Sequence, residues 1–147
     1  MSFNKIYNIR EHNDLTQKEL ASIIGGNRVS ISNWENNKEI PNINKANQLA
    51  NYFDVSLDYL FNLTNVKNYS DNKKVNIERT IAGNRLKEFR KENNLTLNKL
   101  AKELHTTPST ISAYENGKTL LLTAFAIEIC RKYKTSMDYL YGKKDNK

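Results

Sequence analysis

The side chains between Arg28 and Lys38 are of the types that bind nucleic acid. A helix over residues 28–35 turns by about 100° per residue, so one of its sides carries the apolar pair Ile31 and Trp34. The other side is a mixed face made of Arg28, Val29, Ser30, Ser32, Asn33 and Asn36. On such a face arginine can bind guanine through two hydrogen bonds, asparagine can read adenine, and valine can touch a thymine methyl group. The same residues could also form the solvated side of an ordinary surface helix, so this face alone leaves both interpretations open.

The segment that contains this helix occurs twice in the chain, at a constant offset of 80 residues without a gap. The matching blocks are Leu15–Ala21 with Leu95–Ala101, Ile31–Lys38 with Ile111–Lys118, and Ser56–Leu60 with Ser136–Leu140. One offset shared by three separated blocks indicates a duplicated domain. We therefore predict a first domain over residues 1–63, a polar linker over 64–79 with a helical tail near Ile77, a second domain over 80–142, and a basic tail over 143–147.

Helix-start and helix-end residues divide each copy into five helices. In copy 1, Thr16 with Glu19 forms a capping box at the second helix, and Gly25 supplies the left-handed residue that ends it. Asn27 and Ser56 cap the third and fifth helices. Copy 2 follows the same plan, with His105 in place of Gly25 and Thr107 before Pro108. Since no segment shows sustained period-two alternation, the predicted fold class is all-α.

These motifs together resemble the Cro/cI-type (XRE) family of helix-turn-helix repressors from phages and bacteria. The resemblance covers about residues 5–61 and 85–141 and rests on Leu15-Thr16-Gln17, Glu19-Leu20-Ala21, Ile31-Ser32, Trp34-Glu35, Pro41 and Val55–Leu60. It implies two tandem five-helix lambda-repressor-like domains, each with its third helix in the DNA major groove. It also implies that the chain is a sequence-specific regulator of transcription that binds double-stranded DNA, with repression as the expected outcome.

The resemblance also implies roles for individual residues. Gln17 matches a glutamine that opens the second helix and contacts a backbone phosphate, with its side chain near the start of the third helix. Asn36 and Lys38 match a loop that meets phosphates, and copy 2 keeps them as Asn116 and Lys118. Two pairs resemble the internal ion pair of the family, and they are Arg10 with Glu35 and Arg90 with Glu115.

Copy 2 has changed its chemistry. Residues 1–63 carry six Lys/Arg against seven Asp/Glu, a charge of −1, whereas the remainder carries 17 against nine, a charge of +8. Leu97 stands where copy 1 has Gln17, and the third helix carries only short side chains. We expect copy 2 to bind phosphates, which position a protein, and copy 1 to bind bases, which specify the site. The candidate DNA-binding residues of copy 2 are Thr96, Lys99, Lys102, Ser109, Thr110, Ser112, Ala113, Asn116 and Lys118.

The fourth helix of copy 2 gains an apolar flank. Leu121, Leu122 and Phe125 replace Pro41, Asn42 and Lys45, and a stripe this wide indicates burial on more than one side. A repacked domain interior would account for it, but we favour an interface, and specifically a homodimer assembled through domain 2. Two tethered domains that act as a pseudo-dimer within one chain are the alternative.

Other classes of protein fit less well. Cys130 is the only cysteine, which excludes a disulfide framework or a thiolate cluster. His12 and His105 are far apart, and neither a glycine-rich phosphate loop nor clustered carboxylates occur, so we expect no enzyme, metal or cofactor. We also expect no membrane segment and no small-molecule effector, and a cytoplasmic location. The remaining alternative is an antitoxin, antirepressor or other protein-binding module on a helix-turn-helix scaffold.

Overall fold

The computed structural model describes residues 3–147, in which there are ten α-helices and no strand. The chain forms two compact units that divide between Lys74 and Val75. Unit 1 contains α1 (Ile6–His12), α2 (Gln17–Ile24), α3 (Arg28–Glu35), α4 (Ile43–Phe53) and α5 (Leu57–Leu60). Unit 2 contains α6 (Arg79–Glu92), α7 (Leu97–Glu103), α8 (Pro108–Glu115), α9 (Thr123–Tyr133) and α10 (Met137–Leu140). Tandem five-helix units confirm the predicted fold class.

Local hydrogen bonds explain where the helices of unit 1 begin. The Thr16 hydroxyl accepts from the Glu19 N–H at 3.0 Å, and the Glu19 carboxylate accepts from the Thr16 N–H at 2.9 Å. This reciprocal pair confirms the capping box at α2. Gly25 ends α2 in the left-handed region at φ +67°, a conformation that costs glycine little. The turn between α2 and α3 is therefore encoded locally.

A small apolar core holds α3 in place. Leu20, Ile31, Leu49 and Leu57 are each no more than 1% exposed, and Trp34 is 5% exposed. Burial of one such side chain contributes about 1.5–3 kcal/mol. With Ile31 and Trp34 anchored inward, the rest of α3 has to face away from the core, as the sequence predicts.

Unit 2 begins with a longer first helix. α6 has 14 residues where α1 has seven, and it begins at Arg79, just after Ile77, near which the sequence predicts a helical end of the linker. Its additional N-terminal part packs against the end of α8. A Cβ atom on Gly83 would overlap the carbonyl oxygen of Tyr114 and lie 2.9 Å from that of Glu115. Only glycine permits this approach.

The first part of the predicted linker is not free but packs on unit 1. The Ser56 N–H donates to the Lys67 carbonyl at 2.7 Å, and the Tyr69 hydroxyl donates to the Asp58 carboxylate at 2.7 Å. Asp58 is only 3% exposed, and a buried carboxylate is costly unless it is hydrogen-bonded. Residues 64–74 thus complete unit 1, and the linker prediction has to be corrected for them.

The predicted basic tail is also partly interior. Lys143 is 1% exposed and Lys144 8% exposed, and the Arg85 guanidinium donates to the Lys144 carbonyl at 2.6 Å. Burial lowers the pKa of Lys143 to about 8, against the opposing effect of the Asp138 charge. The segment after α10 therefore closes unit 2 instead of extending into solvent. Across residues 3–147 no helix combines the length and apolar character that crossing a bilayer requires.

Candidate nucleic-acid interface

Helix α3 presents the predicted reading residues to solvent. Asn27 caps it by accepting from the Ser30 N–H at 2.9 Å. Arg28 and Val29 are exposed, the latter by 60%, while Ser30, Ser32 and Asn33 are half-buried. An exposed valine beside an exposed arginine at a helix start suits contact with a base edge and with a thymine methyl group.

A buried ion pair fixes the C-terminal end of α3 to α1. The Arg10 guanidinium donates to Glu35 at 2.6 and 3.0 Å, and the two side chains are 8% and 4% exposed. The hydrogen bonds to Glu35 raise the pKa of Arg10, while burial acts in the opposite direction. Arg90 and Glu115 repeat the geometry at 2.7 and 3.1 Å. Both predicted internal pairs are confirmed.

Gln17 lies elsewhere than expected. Its amide donates to the Glu35 carboxylate at 3.1 Å, so it is near the end of α3 and not the start. The reason is that Gln17 is the first residue of α2 and faces the C-terminal turn of α3, where a carboxylate with free lone pairs accepts it. Gln17 therefore supports the ion pair in unit 1, and Leu97 cannot give that support in unit 2.

The end of the third helix is alike in the two units. The Asn36 amide donates to the Ser32 hydroxyl at 3.3 Å, and the Asn116 amide donates to Ser112 at 3.2 Å. Lys38 and Lys118 follow, both exposed, with backbone N–H groups that donate to residues 33 and 113 at 2.8 and 2.9 Å. The loop proposed to meet phosphates thus has one geometry in both copies.

A side-chain pair on this loop distinguishes unit 1. The Asn33 amide nitrogen donates to the Glu39 carboxylate at 3.2 Å, and the Glu39 N–H donates to the Asn33 carbonyl at the same distance. Unit 2 has Ala113 and Thr119 at these positions, and it keeps only the backbone contact, at 3.4 Å. Sequence reasoning missed Glu39, although the joint loss of both side chains at the 80-residue offset was a signal for it.

The corresponding face of unit 2 carries little that could reach a base. Pro108 and Ser109 are exposed at the start of α8, and Thr110, Ser112 and Ala113 are half-buried. The Thr107 hydroxyl lies 3.1 Å from that of Ser109 and 2.9 Å from that of Thr110. Thr96 caps α7 by accepting from the Lys99 N–H at 3.1 Å, and Lys99 and Lys102 are exposed. The face offers short hydroxyls with cations beside them.

The predicted apolar interface of unit 2 is largely interior. Leu121 is 2% exposed, and its carbonyl accepts from the fully buried Tyr141 hydroxyl at 2.7 Å. Phe125 is half-buried, with its ring 6.4 Å from that of Tyr114. Only Leu122, at 53%, is well exposed. Leu121 and much of Phe125 therefore pack inside the domain, and the interface assignment was wrong for Leu121.

Sequence reasoning also missed the structural role of Lys45. Its ammonium group donates to the Ile24 carbonyl at 2.8 Å and so satisfies the end of α2 beside Gly25. Phe125 replaces it in unit 2, where His105 takes the left-handed position at φ +57°.

Among residues 3–147, no group of three or more His, Cys, Asp or Glu side chains could hold a metal ion.

Two units that each place a solvent-facing third helix after a capped second helix define a helix-turn-helix protein. The family model described as a helix-turn-helix domain matches residues 4–66 and 83–146, and the chain belongs to this family. It contains two tandem copies of the domain.

Two individual proteins are similar. The HTH-type transcriptional activator BcrR of Enterococcus faecalis is 33% identical over 82 residues, which are 51% of this chain and 40% of that protein. The chain thus spans well under half the length of this curated relative. The clp gene regulator ClgR from C. glutamicum matches 44% of this chain and 83% of its own solved chain, at 23% identity and a TM-score of 0.40.

Proposed function

We propose that this protein is a non-enzymatic transcriptional regulator that binds duplex DNA in a sequence-specific way, with unit 1 as the base reader. One observation carries the proposal. α3 exposes Arg28 and Val29 and presents Asn33 beside them, whereas α8 exposes Pro108 and Ser109 in the same place. Base edges are read by side chains with reach and fixed hydrogen-bonding groups, and only α3 supplies them.

Unit 2 has a different proposed role, the binding of backbone phosphates. Its exposed cations include Lys99, Lys102 and Lys118, and phosphate contacts supply most of the sequence-independent affinity for DNA. The proposed outcome is repression, because occupying a DNA site requires only contacts that these residues can make. The similar E. faecalis protein is named an activator, and activation would need a further contact with the transcription machinery.

The test compares variants of the two units on the same duplexes. Arg28→Ala and Asn33→Ala should each cost about 1–3 kcal/mol on the best site and relax specificity at one base pair. Lys99→Ala and Lys102→Ala should weaken binding to all duplexes alike and flatten the salt slope by about one unit per lost contact. Equal affinity of both unit 1 variants and the wild type for the selected site would remove unit 1 from the proposed role.

For assembly we propose a homodimer, which would place two identical α3 helices in symmetric half-sites about 34 Å apart. Closed symmetric dimers are the commonest oligomers. Leu122 is the apolar residue of the original flank that remains exposed enough to contribute to such a contact. Sedimentation of the wild-type chain at micromolar concentration, free and on DNA, tests this, and a monomer under both conditions contradicts it.

A further inference from the structure

The contact between Asn33 and Glu39 determines which atom of the asparagine amide faces outward. A carboxylate only accepts hydrogen bonds, so the amide atom that faces Glu39 at 3.2 Å has to be the nitrogen. The amide oxygen then points away from Glu39. An amide held in this way presents an acceptor and one remaining N–H of its nitrogen, and it cannot turn to present two N–H donors.

The backbone makes this contact more than a chance meeting of surface side chains. Glu39 is tied to Asn33 a second time, since its N–H donates to the Asn33 carbonyl at 3.2 Å, and the neighbouring Lys38 N–H donates to the same carbonyl at 2.8 Å. The loop after α3 thus holds Glu39 next to Asn33 of the helix. Unit 2 has the same loop without the bridge, because Ala113 and Thr119 cannot form it.

We propose that Glu39 is a specificity-determining positioning residue, which orients Asn33 so that it selects a base whose exocyclic amino group lies in the major groove. This proposal rests on the function proposed for unit 1. In the major groove adenine offers N6–H₂ and N7, and cytosine offers N4–H₂, while guanine and thymine present only acceptors there. The oriented amide accepts from adenine or cytosine, and adenine also receives its free N–H. Guanine and thymine would instead place an acceptor atom against the amide oxygen, and the like partial charges of the two atoms would repel each other.

Glu39 has a second effect that acts on all sequences. Its carboxylate is exposed and lies beside Lys38 in the loop proposed to meet phosphates, so it repels the DNA backbone. Glu39 therefore lowers affinity for any duplex and raises discrimination between duplexes. Removing the charge and removing the hydrogen-bond acceptor should have separable consequences.

Two substitutions separate the charge from the orientation. Glu39→Gln removes the charge, but its amide can donate to Asn33 as well as accept from it, so it should bind all duplexes more tightly and keep only part of the base preference. Glu39→Ala removes both, so discrimination against guanine and thymine at one position should fall by roughly 2- to 12-fold. Asn33→Ala should abolish that discrimination, which is worth roughly 5- to 150-fold. Glu11→Gln, the loss of an exposed carboxylate on α1, is the charge-matched control.

The experiment measures equilibrium binding of the full chain to four duplexes that differ only at the base pair whose preference Asn33→Ala removes. Loss of discrimination in Glu39→Ala, with a smaller loss in Glu39→Gln and none in Glu11→Gln, supports the proposal. If Asn33→Ala alters the preference but Glu39→Ala does not, orientation by Glu39 is overturned while the proposed function stands. If Asn33→Ala alters no preference at any position, base reading by Asn33 and orientation by Glu39 are both overturned.

Discussion

Glu35→Ala should destabilise unit 1 far more than the loss of an ordinary surface contact. The substitution removes the acceptor for two Arg10 hydrogen bonds, at 2.6 and 3.0 Å, and for one from Gln17 at 3.1 Å. Arg10 is 7% exposed and keeps its bond to the Leu15 carbonyl, at 2.8 Å, its ion pair with Glu11, at 3.3 Å, and its place over the Tyr7 ring, 5.3 Å from the ring centre. A buried guanidinium would then lack its principal counter-charge.

The expected cost follows from that burial. Removing one partner of a buried ion pair typically costs about 3–5 kcal/mol, whereas an exposed pair is worth about 0–1 kcal/mol. A unit that ends at Lys74 has a free energy of unfolding of roughly 4–11 kcal/mol in total. Glu35→Ala should therefore remove roughly a quarter or more of the stability of unit 1. The double variant Arg10→Met/Glu35→Leu, which leaves no unpaired charge, should recover most of the loss.

The chain supplies its own probe for this measurement. Trp34 is the only tryptophan, and it is 5% exposed in the core of unit 1, so its fluorescence in urea reports the unfolding of that unit alone. Glu115→Ala is the matched control, since it breaks the equivalent Arg90 pair in unit 2 and should leave the fluorescence midpoint unchanged. A loss below about 1 kcal/mol in Glu35→Ala would refute the reasoning and make the pair a solvent-screened contact.

Unit 2 offers two further tests, both read by far-UV circular dichroism in urea. Burial lowers the pKa of Lys143 to about 8, so above that pH this lysine binds a proton in the unfolded chain but not in the folded one. The free energy of unfolding should therefore rise by roughly 2–3 kcal/mol between about pH 8 and pH 10. Lys143→Met should not show this rise. Above about pH 10 the buried Tyr141, whose pKa burial raises, should reverse the trend. Gly83→Ala should cost about 1–3 kcal/mol through its clash with Tyr114, despite a gain of about 1 kcal/mol in helix propensity; unchanged stability would contradict the close approach.

Local features of the sequence were sufficient to predict the helices. The capping box of Thr16 and Glu19, the cap Asn27 and the left-handed Gly25 all act over a few residues, and each is confirmed. The family resemblance also predicted the internal ion pairs, because it links Arg10 to Glu35 and the equivalent residues of copy 2. Features that depend on residues close together in the sequence, or on a pattern shared by both copies, could therefore be predicted from the sequence.

Contacts between distant residues were not readable in the same way. Nothing near Gln17 indicates that its partner is Glu35, 18 residues away, and nothing near Asp58 indicates that Tyr69 will satisfy it. Leu121 illustrates the same limit, because an apolar residue that fills the interior and one that forms an interface look alike in sequence. The partners of buried polar groups depend on the geometry of the packed structure and not on the neighbouring sequence.

The most direct test of the central claim is selection of binding sites from random duplex DNA by the wild-type chain and by Asn33→Ala at one fixed salt concentration. The account predicts one enriched motif for the wild type, with the preference lost at a single base pair in the variant. Recovery of all sequences alike by the wild-type chain would contradict sequence-specific reading.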